Sequence, residues 1–468
     1  MPADNFAATN LVATRQFSVM TKPVGPVCNL DCDYCYYKTG AVTGAAAAAG
    51  AGAGGGMGAG VGAGVGASTG VAAGVGTSAS NRSIRPISSL KMSARVLENF
   101  IRQYIEASPG PNIFFTWHGG EPALAGLDFY RAVVKLQNKY TPEGWECINN
   151  LQTNGLLLDD EWCSFLSANR FDIGLSLDGA QWLHDAYRKD RNGAGSYIAA
   201  AAAVRRLLAH GVRTDLLCTV TPEATSDPLA VYSGLRSMDT GWVQFIPIVR
   251  RGADGLPARG CVSPEGYGTF LCDIFDEWIS HDLGRLDVQI FVETARVSAG
   301  WDAGLCRMAP TCGRVLIVEQ DGSVYSCDHY VYPEYKIGNI ESARLGELVE
   351  LPEQRRFGDA KHDSLPAQCL SCQWLKMCNG GCPKDRFAYA DDGAPGLNYL
   401  CNGLKQFFAH SEQPLKQLAK LSLGGMKPDA IMYNIHSEAQ AKWKGVGRND
   451  PCPCGSGKKA KNCCMKAK

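Results

Sequence analysis

Three cysteines fall within the stretch C-N-L-D-C-D-Y-C-Y-Y, where Cys28, Cys32 and Cys35 follow C-x3-C-x2-C spacing. Thiolates so spaced bind metal. A [4Fe–4S] cube has four irons, and each normally takes one thiolate, so three cysteines leave one iron open to another ligand. A zinc site wants a fourth ligand, and no nearby cysteine or histidine supplies one. Zinc with a distant ligand and a coincidental structural triplet are the other readings. Eight more cysteines follow as Cys306-x5-Cys312-x14-Cys327 and Cys369-x2-Cys372-x5-Cys378-x3-Cys382-x18-Cys401. They suit two fully ligated cubes, or two zinc sites. Cys452, Cys454, Cys463 and Cys464 surround a Pro/Gly-rich knuckle near the end of the chain. A module of about twenty residues cannot bury a core, so a metal must hold it together. The scattered Cys147, Cys163, Cys218, Cys261 and Cys272 read as small buried hydrophobes.

Composition narrows the classes. The chain has 468 residues, 45% hydrophobic and 20% charged, which fits a soluble globular protein of several domains. With 46 basic and 46 acidic residues the net charge is zero, so neither nucleic acid nor an acidic membrane surface is an expected partner. The N-terminus lacks a basic stretch followed by an apolar run, so it does not read as a signal peptide. No long apolar window suggests a membrane span. A cytoplasmic location is expected, where twenty cysteines point to metal or redox chemistry rather than disulfides.

The elements that must position these cysteines are legible as alternation. Ser93–Ser108 places Val96, Leu97, Phe100, Ile101, Tyr104 and Ile105 on one helical face. The strand-like I-F-F-T-W ends in H-G-G-E-P. Further helices at Leu127–Lys139 and Tyr197–His210 alternate with strand-like E-C-I-N-N-L-Q-T-N-G, F-D-I-G-L-S-L-D-G, T-D-L-L-C-T-V-T and W-V-Q-F-I-P-I-V. Such βα units make a parallel sheet. The polar motifs fall at the C-terminal ends of the strands, where α/β folds gather their sites. Residues 41–76 are almost entirely Gly and Ala, and no charge occurs between Lys38 and Arg82. This stretch reads as a flexible insertion.

The triplet together with G-G-E-P resembles the radical S-adenosylmethionine (SAM) enzymes. In that family SAM chelates the open iron, and one electron cleaves it to methionine and a 5′-deoxyadenosyl radical. The resemblance implies that Gly119, Gly120 and Glu121 receive the SAM amino group. It puts Ser176 and Asp178 at the ribose or carboxylate and Arg188 as a carboxylate clamp. Tyr36 stacks on adenine in this reading. The middle cysteines resemble the SPASM extension, whose pairing would be Cys306, Cys312, Cys327 and Cys382 for one auxiliary cluster. Cys369, Cys372, Cys378 and Cys401 would hold the other. The knuckle looks like a SEC-C zinc motif, and its lysines read either as partner-binding or as solvated surface.

From Ser93 to about Phe408 the chain is similar to anaerobic sulfatase-maturating enzymes, on stretches such as F-F-T-W-H-G-G-E-P, A-P-T-C-G-R, S-C-D-H-Y, C-N-G-G-C-P-K-D-R-F and G-L-N-Y-L-C. The implied fold is α/β, a partial (β/α)6 radical SAM barrel followed by a cysteine-rich SPASM domain and a small zinc knuckle. The expected divisions are 1–40 for an N-terminal strand and cluster loop, 41–81 for the insertion and 82–300 for the barrel. SPASM then spans 301–410, a helical linker 411–445 and the knuckle 446–468. The implied cofactors are SAM, three [4Fe–4S] clusters and Zn2+. The implied reaction oxidises a cysteine or serine of an unfolded sulfatase polypeptide to Cα-formylglycine, with Asp328 as the base. Tyr37 and His118 line the substrate pocket, and a flavodoxin- or ferredoxin-like protein donates electrons. Two other readings compete. A SPASM maturase of a ribosomal peptide would need a peptide-recognition wing, which is not expected among the 27 residues before Cys28. A regulatory factor with inert clusters would have no use for an open iron.

Overall fold

The computed structural model describes residues 12–39, 91–453, 458–462 and 465. The Gly/Ala stretch lies outside them, as do Cys454, Cys463 and Cys464. Seven parallel strands follow chain order: β1 (Ser18–Thr21), β2 (Asn112–Trp117), β3 (Glu146–Thr153), β4 (Asp172–Ser176), β5 (Thr214–Val220), β6 (Trp242–Pro247) and β7 (Asp287–Val288). Between them run α1 (Ala94–Ala107), α2 (Leu127–Tyr140), α3 (Asp160–Ala168), α4 (Gln181–Tyr187), α5 (Tyr197–Ala209), α6 (Pro228–Arg236) and α7 (Pro264–His281). The helices start where the sequence offers caps. Ser93, Asp159, Asp227 and Ser263 each accept a backbone N–H of the first turn. The face of α1 read from spacing is the buried face, all six residues included.

The sheet is wider than the six strands expected. β7 extends it beyond β6, and the cysteine-rich part adds β8 (Val315–Val318), β9 (Ser323–Tyr325) and β10 (Lys336–Asn339) on the other side of β1. β8 runs parallel to β1, pairing Ser18 with Val315 and Thr21 with Val318, while β9 and β10 turn antiparallel. The apolar V-L-I-V of β8 makes the four-residue β1 an interior strand, buried as parallel strands must be. Strands β7 and β10 are the edges. One sheet therefore crosses the division expected at residue 300. The division expected at 410 falls inside a single helix, Cys401–Leu423, which buries Phe407, Phe408 and Leu415. That helix lies so close to α7 that a Cβ on Gly403 would sit 1.9 Å from the Pro264 carbonyl oxygen. Among the described residues no helix is long and apolar enough to cross a membrane.

Candidate active site

The cysteine loop leaves β1 at Lys22 and packs against the tip of β2. Gly120 N–H donates to Gly25 O (2.8 Å) and Glu121 N–H to Val27 O (2.7 Å). This approach explains the glycines. A Cβ on Gly120 would lie 2.1 Å from Val27 O, and Gly119 adopts φ +115°. Gly120→Ala is expected to displace the loop at a cost of about 1–3 kcal/mol. It should lower Tm and reduce the iron retained on reconstitution; wild-type values of both would refute the packing role. Glu121 is buried. Its Oε1 accepts from Ala123 N (3.0 Å) and Thr153 Oγ1 (2.7 Å), and Oε2 from Asn154 N (2.8 Å). Burial pushes its pKa up, partly offset by these bonds. A carboxylate offers about four lone-pair directions, so one remains for a further donor.

Across the loop, Asp178 is buried beneath Arg188. Its Oδ2 accepts Arg188 Nε (2.8 Å) and the Tyr34 hydroxyl, and its Oδ1 accepts Thr219 N (2.8 Å) and Arg188 Nη2 (3.2 Å). Asp178 was expected to touch the ribose or carboxylate of SAM; these four donors fill its lone pairs and make it the anchor of Arg188 instead. Burial alone would lower the Arg188 pKa, but Asp178 and Tyr34 outweigh it and keep the guanidinium charged. The bonds to Asp178 and to Thr219 Oγ1 (3.3 Å) draw on Nε and Nη2, which leaves Nη1 for an outside acceptor. Ser176 ends β4, half-buried. Tyr36 does not join this group. Its ring stacks on Tyr37 with centroids 4.3 Å apart, on the Asp328 side of the loop. Tyr34 is the loop aromatic that belongs here, with the Arg188 guanidinium 5.3 Å from its ring centroid.

The second side of the site forms where β1 and β8 end together. Lys22 follows β1, its N–H bonded to Val318 O (2.9 Å), and its side chain is fully buried. Nζ lies 2.9 Å from Asp328 Oδ1, 3.5 Å from Glu319 Oε1 and 4.9 Å from the Tyr37 ring centroid. Burial alone pushes Asp328 up; Lys22, then His118 and His329, outweigh it and hold its carboxyl well below the usual range. Glu319 shares the same lysine yet stays raised, because burial dominates at the longer distance. His118 is held below its usual pKa by burial and by Lys22, against the opposing pull of Asp328. Eleven buried side-chain polar atoms among the described residues lack a well-aligned hydrogen bond. Seven of them belong here: Lys22 Nζ with its ion-pair partners Glu319 Oε1 and Asp328 Oδ1, and Thr21 Oγ1, Tyr37 hydroxyl, His118 Nδ1 and Gln320 Oε1. Orphaned buried groups are rare and call for an explanation. The four that no ion pair satisfies, set around a buried charge pair, suit a polar ligand.

Electrostatic neighbours group the cysteines. Cys28 lies close enough to Cys32, Cys35 and Glu121 that they add to burial in pushing its thiol up to about 11. Burial drives the Cys327 thiol far up, with Asp328, Cys382 and Cys306 adding, while Cys312 feels Cys306. Cys378 is pushed up to about 11 by burial and by Cys401, Cys369 and Cys372, and these four line one apolar pocket with Trp374, Leu397 and Phe408. The chain order is thus interleaved, with Cys382 joining the earlier set. No three donors among the described residues converge on a single ion. A four-iron cube does not ask this, since each thiolate takes its own iron. Two cations beside the sets, the buried Lys361 and the half-buried Arg386, have no carboxylate partner among the described residues. Crowded thiols next to uncompensated cations fit anionic iron–sulfur clusters. Of the scattered cysteines, Cys163, Cys218 and Cys272 are buried as expected, whereas Cys147 and Cys261 are half-buried.

Of the knuckle, Cys452 is described; it is buried, and its N–H bonds Lys458 O (2.8 Å). Sequence reasoning missed Lys22, Tyr34, Lys361 and Arg386. A lysine at the tip of a parallel strand was the available signal for Lys22, and Tyr34 stands inside the triplet itself.

Comparison with known proteins adds to this geometry. Residues 23–230 match the family model described as the radical SAM superfamily, 306–373 that of an iron-sulfur cluster-binding domain and 448–466 that of the SEC-C motif. The chain is 38% identical to a serine-type anaerobic sulfatase-maturating enzyme of Bacteroides thetaiotaomicron, over 91% of this chain and 97% of that protein. It is 29% identical to a cysteine-type enzyme of Clostridium perfringens, over 84% of this chain and 96% of that one. The structure superposes on that of native anSMEcpe with bound AdoMet and Cp18Cys peptide with a TM-score of 0.70 and 29% identity, covering 87% of this chain and 99% of the other. The likeness in sequence runs nearly end to end and the fold follows it: this chain belongs to the anaerobic sulfatase-maturating enzymes.

Proposed function

We infer that this protein binds SAM at the three-cysteine loop and oxidises a serine or cysteine of a sulfatase polypeptide to Cα-formylglycine. The observation that carries this reading is the buried Lys22–Asp328 ion pair with the polar side chains around it, set beside the loop and the first full cysteine set. Cys28, Cys32 and Cys35 hold the open cluster. Gly119, Gly120 and Glu121 face the SAM amino group, with Glu121 also fixing the segment's shape. Arg188 Nη1 takes the SAM carboxylate, with Asp178 positioning it; Tyr34 rather than Tyr36 closes that side, and Ser176 lies near the ribose. When bound, SAM supplies the deoxyadenosyl radical that takes a hydrogen atom from the substrate Cβ. The substrate must then lose one proton and one electron to become an aldehyde, or a thioaldehyde that water hydrolyses. Asp328, kept ionised by Lys22, accepts the proton. Tyr37 and His118 orient the reacting side chain. Cys306, Cys312, Cys327 and Cys382 would hold one auxiliary cluster beside Asp328 and Cys369, Cys372, Cys378 and Cys401 the other, and these clusters would supply the acceptor for the electron. An external flavodoxin- or ferredoxin-like protein feeds the SAM cluster.

We keep the functional division near residue 300, barrel before and cluster domain after, although the sheet spans it. Cys452, Cys454, Cys463 and Cys464 form a separate zinc knuckle. Ligand arithmetic gives about 12 irons and one zinc per chain; about four irons would refute the two auxiliary clusters, and no zinc the knuckle. The activity test is anaerobic reconstitution with SAM, a reductant and peptides bearing S-x-P-x-R or C-x-P-x-R. The higher identity to a serine-type relative makes the serine peptide the first to assay. A mass loss at that residue matching an aldehyde is expected. Deoxyadenosine formed without peptide oxidation would overturn the reading.

A further inference from the structure

The motif C-N-G-G-C-P-K-D-R-F links the two full cysteine sets, because Cys378 belongs to one and Cys382 to the other. Between them Asn379, Gly380 and Gly381 all adopt left-handed backbone, with φ of 45°, 69° and 64°. The carbonyls of this turn point at one side chain. Arg386 Nε donates to Gly380 O (2.9 Å), and Nη2 to Asn379 O (2.8 Å) and Gly381 O (3.4 Å). Its Nη1 donates to Lys361 O (2.5 Å). The buried Lys361 Nζ in turn donates to the carbonyls of Ala309 and of Cys306 (2.5 Å). The glycines are required here, since a Cβ on Gly380 would lie 2.6 Å from Arg386 Nη2.

Two cations thus sit at the junction of the sets, bonded to neutral carbonyls and to no carboxylate among the described residues. Arg386 is close enough to Cys369 and Cys378 of one set, and to Cys382 and Cys312 of the other, to interact with all four. Lys361 is buried and Arg386 half-buried, and carbonyls with the Ser364 hydroxyl (3.4 Å) compensate charge so withdrawn from water less well than an anion does. A four-thiolate cluster is such an anion, and it gains one further negative charge when it takes up one electron. We propose that Arg386 and Lys361 form a cationic pair shared by the two auxiliary clusters. The pair stabilises whichever cluster holds the electron removed from the substrate, and so keeps both potentials high enough to accept it. This rests on the reading that both sets hold clusters, and its test separates the two ideas.

The test is an EPR-monitored redox titration of the reconstituted full-length protein, with iron counted in every sample. The charge-removing R386Q and K361Q should lower the auxiliary midpoint potentials. The expected change in the reduced-to-oxidised ratio is about tenfold at fixed potential, or about 59 mV for a one-electron couple. The charge-keeping R386K and K361R should retain wild-type potentials, although each alters the hydrogen-bond geometry. The potential of the SAM cluster should not move. Full iron with unchanged potentials in both charge-removing variants would overturn the pair's electrostatic role. So would iron loss in R386K and K361R as severe as in R386Q and K361Q, because the residues would then act only as braces. Wild-type protein with only about four irons would instead overturn the cluster reading itself.

Discussion

Asp328→Asn is expected to lower formylglycine production by about 10²–10⁴-fold, the range for loss of a positioned base, while deoxyadenosine formation continues. The change keeps the volume of the side chain and its place beside Lys22, at 2.9 Å in the native protein. It removes the proton acceptor and, with it, the carboxylate charge that pairs with Lys22. Lys22 retains Glu319 as a partner at 3.5 Å, which limits the loss of stability, and Tm measures the loss that remains. Mass spectrometry of the peptide and chromatography of deoxyadenosine measure the two halves of the reaction separately. Loss of both signals would make Asp328 a residue of SAM binding, and an undiminished aldehyde yield would remove it from catalysis. The native pH profile should follow from the same contact. Burial alone would raise Asp328, yet Lys22, His118 and His329 hold it well below the usual carboxylate range. This group therefore stays ionised across neutral and mildly acidic pH and imposes no acid limb there.

Lys22→Met should be nearly as damaging, for a different reason. It leaves Asp328 and Glu319 buried against one another with no cation within ion-pair distance, since Lys22 is the ion-pair partner both have among the described residues. Removing one partner of a buried pair costs about 3–5 kcal/mol, which Tm measures. The sign of the pH dependence should change as well. Native Asp328 lies below its unfolded pKa of about 3.9, so the stability it contributes is present above that value and is lost as pH falls through the folded one. Lys22 lies above its unfolded pKa of about 10.4, despite burial, because Asp328 and then Tyr36 and Glu319 raise it. Its contribution is complete below about 10.4 and is lost as pH rises through the folded value. The pair's contribution is thus flat across neutrality. In Lys22→Met, burial and mutual repulsion raise both carboxyls, so the variant should gain stability as pH falls and lose activity over the same range. A variant with native Tm, or one whose Tm ignores pH, would refute the pairing.

Much of the site could be read from the chain because thiol chemistry is local and specific. Cys28, Cys32 and Cys35 sit within one loop, and their spacing alone states that a cluster would have one open iron. The strand–helix alternation was equally legible, since the six apolar positions of α1 and the strands before each polar tip follow regular periods. The extra strands were not. β8 is a four-residue apolar run, and nothing in V-L-I-V says that it pairs with Ser18–Thr21.

The residue types, the cysteine spacings and the likeness to the family were therefore determined by the sequence. The tertiary structure decided who meets whom. The pairing of β8 with β1 sets Lys22 beside Glu319 and Asp328, an encounter between segments far apart in the chain. It also decided that Asp178 is filled by Arg188, Tyr34 and Thr219, and that Tyr34 rather than Tyr36 shares that side. Arg386 became meaningful only when a left-handed turn wrapped its carbonyls around it between the two cysteine sets. The physical reason is the same each time. A residue's chemistry is carried by its own atoms, but its charge state and free lone pairs depend on neighbours that sheet register and burial bring to it.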